Sequence, residues 1–139
     1  ILEQRYPIIF DEFSLREGSG GAGKYRGGFG VRYRARILRG EGKASFLMEH
    51  GRFGPPGILG GKPGAPNVIR ICQGGKIVQP EHISKGEGFV LKPGDWIEVE
   101  TPGGGGYGDP AERDPVLIER DRIRGYYPDP SNPPAADQT

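Results

Sequence analysis

Glycine and proline constrain this chain more than any other feature of its sequence. The 139 residues include 26 glycines and 14 prolines, a proportion within the range typical of low-complexity chains. The net charge is only +1, however, and 34% of the residues are hydrophobic, whereas disordered chains combine high net charge with few apolar residues. We therefore expect a folded chain with a thin core, in which glycine occupies space that side chains would otherwise fill.

Length and composition exclude several classes of protein. A chain of this size fits one domain, and no apolar run approaches the roughly 18 residues that a membrane-spanning helix needs. The sequence shows neither a secretory signal nor a lipidation motif. Cys72 is the only cysteine, so neither an internal disulfide nor a cysteine-rich zinc site is expected. These features favour a reducing compartment, and we expect a cytoplasmic protein without a membrane partner.

Short apolar segments alternate with Gly/Pro clusters, a spacing typical of an all-β barrel or sandwich. In the clearest predicted strand, residues 31–38, apolar side chains alternate with Arg32, Arg34 and Arg36. One face of this strand therefore belongs to the core, and the other carries three guanidinium groups. Further strands are predicted over residues 6–10, 13–15, 45–49, 68–72, 75–78, 89–91 and 96–101.

Turn and cap residues complete the predicted fold. Gln73-Gly74 predicts a tight hairpin and Pro93-Gly94 a type II turn. One short helix is predicted near the C-terminus, where Asp114-Pro115 can begin it and Gly125 can end it.

The predicted fold class is therefore mainly β, a small barrel- or sandwich-like domain with long Gly/Pro-rich loops and one short C-terminal helix. This β domain is expected over residues 1–127, and a proline-rich tail over residues 128–139.

Two glycine-rich stretches resemble nucleotide-binding motifs. Residues 18–25 nearly match the P-loop pattern G-x-x-x-x-G-K-[ST], but Tyr25 stands where a hydroxyl must reach Mg²⁺. The glycines after Lys24 also do not favour the helix that a P-loop must open. Residues 18–23 and 103–108 each satisfy G-x-G-x-x-G without the strand–turn–helix setting of a dinucleotide site. We interpret the first stretch as a rigid turn between strands. The remaining alternative is that the chain is a free-standing P-loop or RNA-binding module.

Basic residues and histidines give no independent functional motif. Arg26-Gly27-Gly28 resembles one unit of an RGG segment, but such tracts are repetitive and disordered, so we expect no nucleic-acid partner. The arginine face of residues 31–38 is instead expected to be solvated or to face the carboxylates of a partner. His50 and His82 lack the spacing of a zinc site or a catalytic set. We expect no catalytic residue and no metal ligand in this chain.

Residues 101–110, with the sequence TPGGGGYGDP, are the most unusual stretch. Four consecutive glycines lose much conformational entropy on ordering, so an ordered loop must offer something that side chains would prevent, such as close approach of another backbone or an anion nest. Two interpretations stay open: a loop at a subunit interface or active-site rim, and a flexible connector between the last strand and the helix.

Taken together, these blocks resemble the hydantoinase B/5-oxoprolinase family. Residues 19–30 are similar to its S-G-G-x-G-[KR]-[FY]-R-G-G-x-G signature, and residues 52–64 resemble its R…P-P…G…G-G…G stretch. Residues 91–115 match, in order, its L-x-x-G-D…T-P-G-G-G-G-Y-G-D-P…R-D-P end. The resemblance covers roughly residues 3–125 and corresponds to the C-terminal part of family members that are several hundred residues long.

The resemblance implies a role within a larger assembly. Related ATP-dependent ketone carboxylases are multi-subunit, and a small subunit of about this size occurs among them. Such a subunit would join hydantoinase A-like and hydantoinase B-like partners that hold ATP and a divalent metal, Mg or Mn, while binding no cofactor itself. The complex would join a ketone such as acetophenone to bicarbonate, giving a β-keto acid. The alternative is a C-terminal fragment of an ATP-dependent hydantoinase or 5-oxoprolinase that opens a cyclic amide.

Two groups of residues are predicted to face partners or the rim of a site. The first comprises loop residues Gly20, Gly21, Lys24, Arg26, Arg52, Gly103, Gly104, Gly105, Gly106, Tyr107 and Asp109. The second is a partner-facing basic strand with Arg32, Arg34 and Arg36. Because the predicted core is thin, larger neighbours are expected to hold the glycine-rich turns in place.

Overall fold

The structure, a computed structural model, describes residues 1–127. The proline-rich tail predicted for residues 128–139 lies outside the described residues. The strands are β1 Ile8–Leu15, β2 Val31–Ile37, β3 Gly42–Leu47, β4 Val68–Gln73, β5 Lys76–Val78, β6 Lys85–Leu91 and β7 Trp96–Glu100. The helices are α1 Leu2–Arg5 and α2 Pro115–Ile123, with a 3₁₀ turn at Pro110–Glu112 between β7 and α2.

The strands form two antiparallel sheets. The larger sheet has the order β1-β2-β7-β4-β5, and β3 pairs with β6 in a separate two-stranded sheet. Within residues 1–127 neither sheet closes on itself, so the arrangement is sandwich-like and the barrel alternative is not formed. The prediction of a mainly β fold is confirmed.

The core lies where the small sheet covers part of the large one. Ile69 and Ile71 of β4 are almost completely buried, as is Leu91 at the end of β6. Partly buried side chains from both sheets surround them: Ile37, Ala44, Phe46, Met48, Phe89 and Ile97. Because residues two apart in a strand share a face, the alternation within β4 and β7 directs these apolar residues to one side and charged residues to the other.

A β-bulge sets which side chains of β1 face the apolar side. Phe10 pairs with Ala35 and Phe13 with Tyr33, with the irregularity at Asp11 between them. In a regular strand, residues three apart point to opposite faces, and one extra residue restores them to the same face. The sequence analysis predicted two segments here, residues 6–10 and 13–15. The structure joins them in one bulged strand.

The hairpin between β4 and β5 turns one residue later than predicted. Its two central residues are Gly74 and Gly75, with φ values of 57° and 82°. Positive φ at both central positions is the requirement of a type I′ turn, which suits a hairpin. The predicted turn at Gln73-Gly74 was therefore misplaced, because Gln73 still pairs with Lys76 in the ladder.

The predicted C-terminal helix is present with its expected ends. An oxygen of Asp114 accepts a hydrogen bond from the Val116 N–H at 2.9 Å, and Gly125 follows the helix with φ of 66°. The four-residue helix α1 was not predicted, since no cap or periodic pattern marks it. No helix within residues 1–127 has both the length and the apolar character needed to cross a membrane.

Candidate functional site

Three glycine-rich segments, remote in sequence, pack together into what we call the glycine cluster: residues 18–30, 54–64 and 101–108. Their main chains are hydrogen-bonded directly to one another. The bonds include Gly21 N–H to Gly104 O at 2.8 Å, Gly104 N–H to Gly28 O at 2.9 Å, Gly106 N–H to Lys62 O at 2.9 Å and Lys62 N–H to Ala22 O at 2.7 Å. The four-glycine stretch is thus the centre of the cluster, which argues against the flexible-connector interpretation.

Backbone packing leaves no room for a side chain at most glycines of the glycine cluster. A Cβ atom at Gly103 would collide with the Ser19 carbonyl, and one at Gly105 with the Pro56 carbonyl. The same holds, with backbone atoms as the obstacle, for Gly20, Gly21, Gly23, Gly27, Gly30, Gly54, Gly57, Gly61, Gly64 and Gly106. Glycine is required at these positions because another main chain lies in the space where a side chain would project. The chain's own carbonyls and amides already contact these turns. That larger neighbours are needed to hold them in place stays a prediction.

Arg26, predicted at a site rim, ties the glycine cluster to α2. Its guanidinium bonds both carboxylate oxygens of Asp121, at 2.9 and 3.3 Å, and lies 4.2 Å from the centre of the Phe29 ring. Arg113 bonds the same carboxylate at 2.7 Å. Asp121 is fully buried, so two arginines compensate one buried charge.

The hydrogen bond from Arg26 lowers the pKa of Asp121 below its ordinary value, against burial, which acts in the opposite direction. Arg113 lowers this pKa further by its own hydrogen bond. The carboxylate therefore stays ionised in the folded chain and is an internal support rather than a proton donor.

Arg32 and Arg34, predicted to face a partner, bind carboxylates of their own chain. Arg34 contacts Glu98 at 2.6 Å and Arg32 contacts Glu100 at 2.9 Å, each directly across from it on β7. Arg70 of β4 approaches Glu98 from the other side at 2.7 Å. We call this set, with Arg16 bound to Glu100 at 3.1 Å, the Arg–Glu ladder.

Arg36 lies beyond the ladder and pairs with Asp11 in the β1 bulge at 2.7 Å. The carboxylates that the sequence analysis expected from a partner are thus supplied by β7 and β1. That this strand faces a partner subunit stays a prediction, but charge pairing does not require one.

The carboxylates of the Arg–Glu ladder lie below the surface. Glu98 and Glu100 are buried, whereas Arg32, Arg34 and Arg70 keep part of their side chains in water. Burial raises the pKa of Glu100, but the nearby charge of Arg16, a hydrogen bond from Arg70 and the charge of Arg32 outweigh it, so that the pKa lies below its ordinary value. The ladder is a structural ion-pair network in which the Glu100 carboxylate stays charged.

The remaining predicted site residues lie at the outer edge of the glycine cluster. Tyr107 is about half exposed, and its ring centre lies 6.2 Å from that of Tyr25. Lys24 bonds Glu112 at 3.0 Å, and this hydrogen bond raises the pKa of Lys24. Asp109 accepts a hydrogen bond from the Ala111 N–H and so caps the 3₁₀ turn.

Arg52 is exposed in the loop that leads into the middle segment of the cluster and has no ion pair within residues 1–127. The structure therefore places Lys24, Tyr107 and Asp109 together and leaves Arg52 apart. Their place at an interface or site rim stays a prediction.

Within residues 1–127 the stretch that resembles a P-loop does not adopt the geometry of one. Lys24 is paired with Glu112, and β2 rather than a helix follows the glycines, so a P-loop is not formed. Over the part of the chain that the structure describes, no group of three His, Cys, Asp or Glu side chains is placed to hold a metal ion. The glycine cluster can present a fixed main-chain surface, and the charged side chains Lys24, Arg26 and Asp121 form ion pairs within the chain.

Several structural residues were missed by sequence reasoning. Glu98 and Glu100 alternate with apolar residues in β7 just as the arginines do in β2, and complementary alternation could have indicated that the two strands pair. Asp121 gave no such signal. Its partners are remote in sequence, and only the packing of α2 against the glycine cluster brings them together.

Comparison with known proteins gives one family match. The family model described as Hydantoinase B/oxoprolinase matches residues 1–110. An uncharacterised protein of Methanocaldococcus jannaschii is 41% identical over 121 residues, which are 87% of this chain and 21% of that protein. The 5-oxoprolinase of Saccharomyces cerevisiae is 40% identical over 111 residues, covering 78% of this chain and 8% of its own length.

Caprolactamase subunit beta of Pseudomonas jessenii is similar in both sequence and fold. It is 34% identical over 131 residues, which are 90% of this chain and 22% of that subunit. The crystal structure of the ATP-dependent caprolactamase superimposes with a TM-score of 0.75 and 28% identity, over 91% of this chain and 22% of that one. This chain therefore spans about a fifth or less of the length of these relatives.

A second solved structure supports the fold alone. Acetone carboxylase in its nucleotide-free form superimposes with a TM-score of 0.69 and 21% identity, over 87% of this chain and 20% of that chain.

Proposed function

Because the chain belongs to the hydantoinase B/oxoprolinase family, we propose that it is a small structural or site-completing part of an ATP-dependent multi-subunit carboxylase. Its neighbours in this proposal are hydantoinase A-like and hydantoinase B-like polypeptides in the cytoplasm. The complex would join bicarbonate to a ketone such as acetophenone, forming a C–C bond and giving a β-keto acid, as in acetophenone carboxylase. ATP and a Mg or Mn ion would be held by the partners.

One observation carries the proposal: most of this chain superimposes on about a fifth of the caprolactamase and acetone carboxylase chains, both of which belong to ATP-dependent enzymes. What it contributes physically is the glycine cluster, in which three segments are joined main chain to main chain. Such packing fixes the edge formed by Lys24, Tyr107 and Asp109 without large side chains. A fixed edge of this kind is suited to meeting another subunit, because little further ordering is needed on association.

The charged side chains support a non-catalytic role. Asp121 and Glu100 are held ionised by arginines, whereas a general acid or base needs a pKa close to the working pH. We therefore propose that the reacting groups belong to the partner polypeptides, and that this part positions or encloses them.

The second candidate is a region of an ATP-dependent enzyme that opens a cyclic amide, as a piece of a longer hydantoinase- or 5-oxoprolinase-like chain. The observation in its favour is similarity to the caprolactamase subunit, which is greater in sequence and fold than similarity to acetone carboxylase. Both candidates give these residues the same structural role. They differ in the reaction of the enzyme, and in whether the residues form a small subunit or a region of a longer chain.

The test is purification of the untagged native complex, with mass analysis of every polypeptide in it. We expect hydantoinase A-like and hydantoinase B-like sequences to co-purify with residues 1–139. ATP hydrolysis by the complex should then depend on a ketone together with bicarbonate.

ATP hydrolysis that depends on 5-oxoproline or a lactam would select the second candidate. Turnover by the 139-residue polypeptide alone would reject both candidates.

A further inference from the structure

Half of the apolar face of the large sheet lacks a covering layer among the residues that the structure describes. The β3–β6 sheet packs over β4 and β7, where the buried core lies. On the β1–β2 half, the aromatic half-sheet formed by Phe10, Phe13, Leu15 and Tyr33 carries no second layer within residues 1–127. A sheet with one apolar face is stable when that face is buried against another element.

The aromatic half-sheet is organised as a packing surface. Phe13 stacks on Tyr33 with ring centres 6.3 Å apart, and Phe10 meets Tyr33 edge-on at 6.2 Å. Nevertheless Phe13 is 72% exposed and Leu15 is 54% exposed. Large apolar side chains grouped on an ordered strand mark interaction surfaces, whereas isolated ones are ordinary.

Helix α1 extends the surface at one end. Ile1 and Leu2 form, with Phe10 and Phe13, the walls of an open groove of about 500 Å³. Glu3 is the charged residue in this groove, and its carboxylate accepts a hydrogen bond from the Phe10 N–H at 2.7 Å. The groove therefore suits apolar and aromatic side chains of a partner rather than a charged ligand.

The charged groups on the opposite face of the sheet do not require a partner protein to balance their charge. There the buried carboxylates of the Arg–Glu ladder are already paired with arginines of the same chain. On the apolar face of the β1–β2 half, by contrast, folding of residues 1–127 leaves large apolar side chains exposed.

We propose that the aromatic half-sheet is the docking surface for a hydantoinase-B-like polypeptide region outside these 139 residues, whether that region lies on the same chain or on a separate one. The inference rests on the proposed function, which places this chain beside such a region. The observation that selects this occupant is length. The structural match covers 91% of this chain but 22% of the caprolactamase chain, so the same fold is there part of a polypeptide more than four times as long.

The first experiment uses photo-crosslinking in the native complex. Phe13 is replaced with p-benzoylphenylalanine, and crosslinked peptides are identified by mass spectrometry after irradiation. We expect peptides of the hydantoinase-B-like region. The control carries the same group at Leu47, which is 84% exposed on β3 of the other sheet, and should give none. Crosslinks to a second copy of this chain, equal crosslinking from both positions, or no crosslink at position 13 within an intact complex would overturn the proposal.

The second experiment compares Phe13→Asp with Leu47→Asp in the affinity-purified chain. If the hydantoinase-B-like region is a separate polypeptide, we expect Phe13→Asp to reduce the amount that co-purifies by roughly tenfold, as for a buried aromatic anchor. If the region is on the same chain, we expect its protection from protease to decrease by a similar factor. Leu47→Asp should leave both unchanged. Equal thermal unfolding temperatures of the two variants show that the loss is not misfolding. A complex that survives Phe13→Asp rejects this surface but leaves the proposed function intact, whereas absence of the partner from the wild-type preparation rejects the proposed function itself.

Discussion

At the scale of single residues, glycine in this chain serves close packing more than flexibility. Gly27 and Gly28 are neighbours with different surroundings. A Cβ atom at Gly27 would meet the main chain at Gly104, whereas at Gly28 it would meet no atom within 4 Å. Replacing each of the two glycines with alanine therefore distinguishes the effect of close packing in the folded chain from the effect of glycine on the unfolded chain.

We predict that Gly27→Ala lowers the free energy of unfolding by about 1–3 kcal/mol, the usual cost of overpacking. Gly28→Ala should change it by less than about 0.5 kcal/mol, as is usual for a surface substitution. Urea denaturation of the two purified variants measures the difference. Equal midpoints would show that the glycine cluster is not packed as described.

Asp121 makes a second prediction at this scale. Asp121→Asn leaves Arg26 and Arg113 without their buried counter-charge, and should lower the free energy of unfolding by about 3 kcal/mol. We take the lower end of the range for buried ion pairs because both guanidinium groups keep some access to water. Thermal unfolding measures the change. Glu119→Gln, which removes an exposed ion pair on the same helix, is the control and should have no measurable effect.

At the scale of elements, the large sheet places apolar packing on one face and ion pairs on the other. The Arg–Glu ladder spans β2, β7 and β4 and joins Glu100 to Arg16 in the loop after β1. Because the pKa of Glu100 is lowered in the folded chain, its protonation favours the unfolded state. The ladder therefore links the stability of the sheet to pH.

We predict that the free energy of unfolding is steady from neutral pH down to about pH 5 and decreases as the pH falls further. The sign follows because a carboxyl with a lower pKa in the folded state binds its proton more readily when the chain unfolds. Urea denaturation between pH 7 and pH 3 measures this dependence. Glu100→Gln should be less stable at pH 7 and show a shallower decline. An unchanged slope would mean that Glu100 does not contribute.

At the scale of the whole molecule, the chain is stabilised by two unlike interiors. One is a small apolar core around Ile69, Ile71 and Leu91. The other is the glycine cluster, where main-chain hydrogen bonds and close contacts take the place of buried side chains. Arg26 and Asp121 attach α2 to the second interior, while β7 belongs to the large sheet and leads directly into the cluster.

We predict that the amides of Gly21, Gly104 and Gly106 exchange with solvent slowly in the isolated chain, with protection similar to that of β7. Each donates a hydrogen bond to a carbonyl within the cluster, and protection reflects how often such bonds open. The exposed residue Gly40, in the connection between β2 and β3, is the comparison and should exchange quickly. Rapid exchange throughout the cluster would support the view that neighbouring subunits must hold these loops.

The sequence by itself determined the clearest strand, the ends of the C-terminal helix and the family. Alternation in residues 31–38 and the Asp114-Pro115 cap are local signals, since neighbouring residues suffice to produce them. The ordered glycine blocks indicated the hydantoinase B/5-oxoprolinase family for the same reason: they can be read along the chain.

Only the tertiary structure decided what surrounds those elements. In the tertiary structure, four consecutive glycines lie at the centre of a packed cluster. Arg32 and Arg34 form ion pairs with carboxylates of their own chain, and a bulge places Phe10 and Phe13 on one face of the sheet. Each of these outcomes depends on which distant segments become neighbours. Contacts between segments far apart in the sequence, such as Arg26 with Asp121, are set by how the elements pack together in the fold.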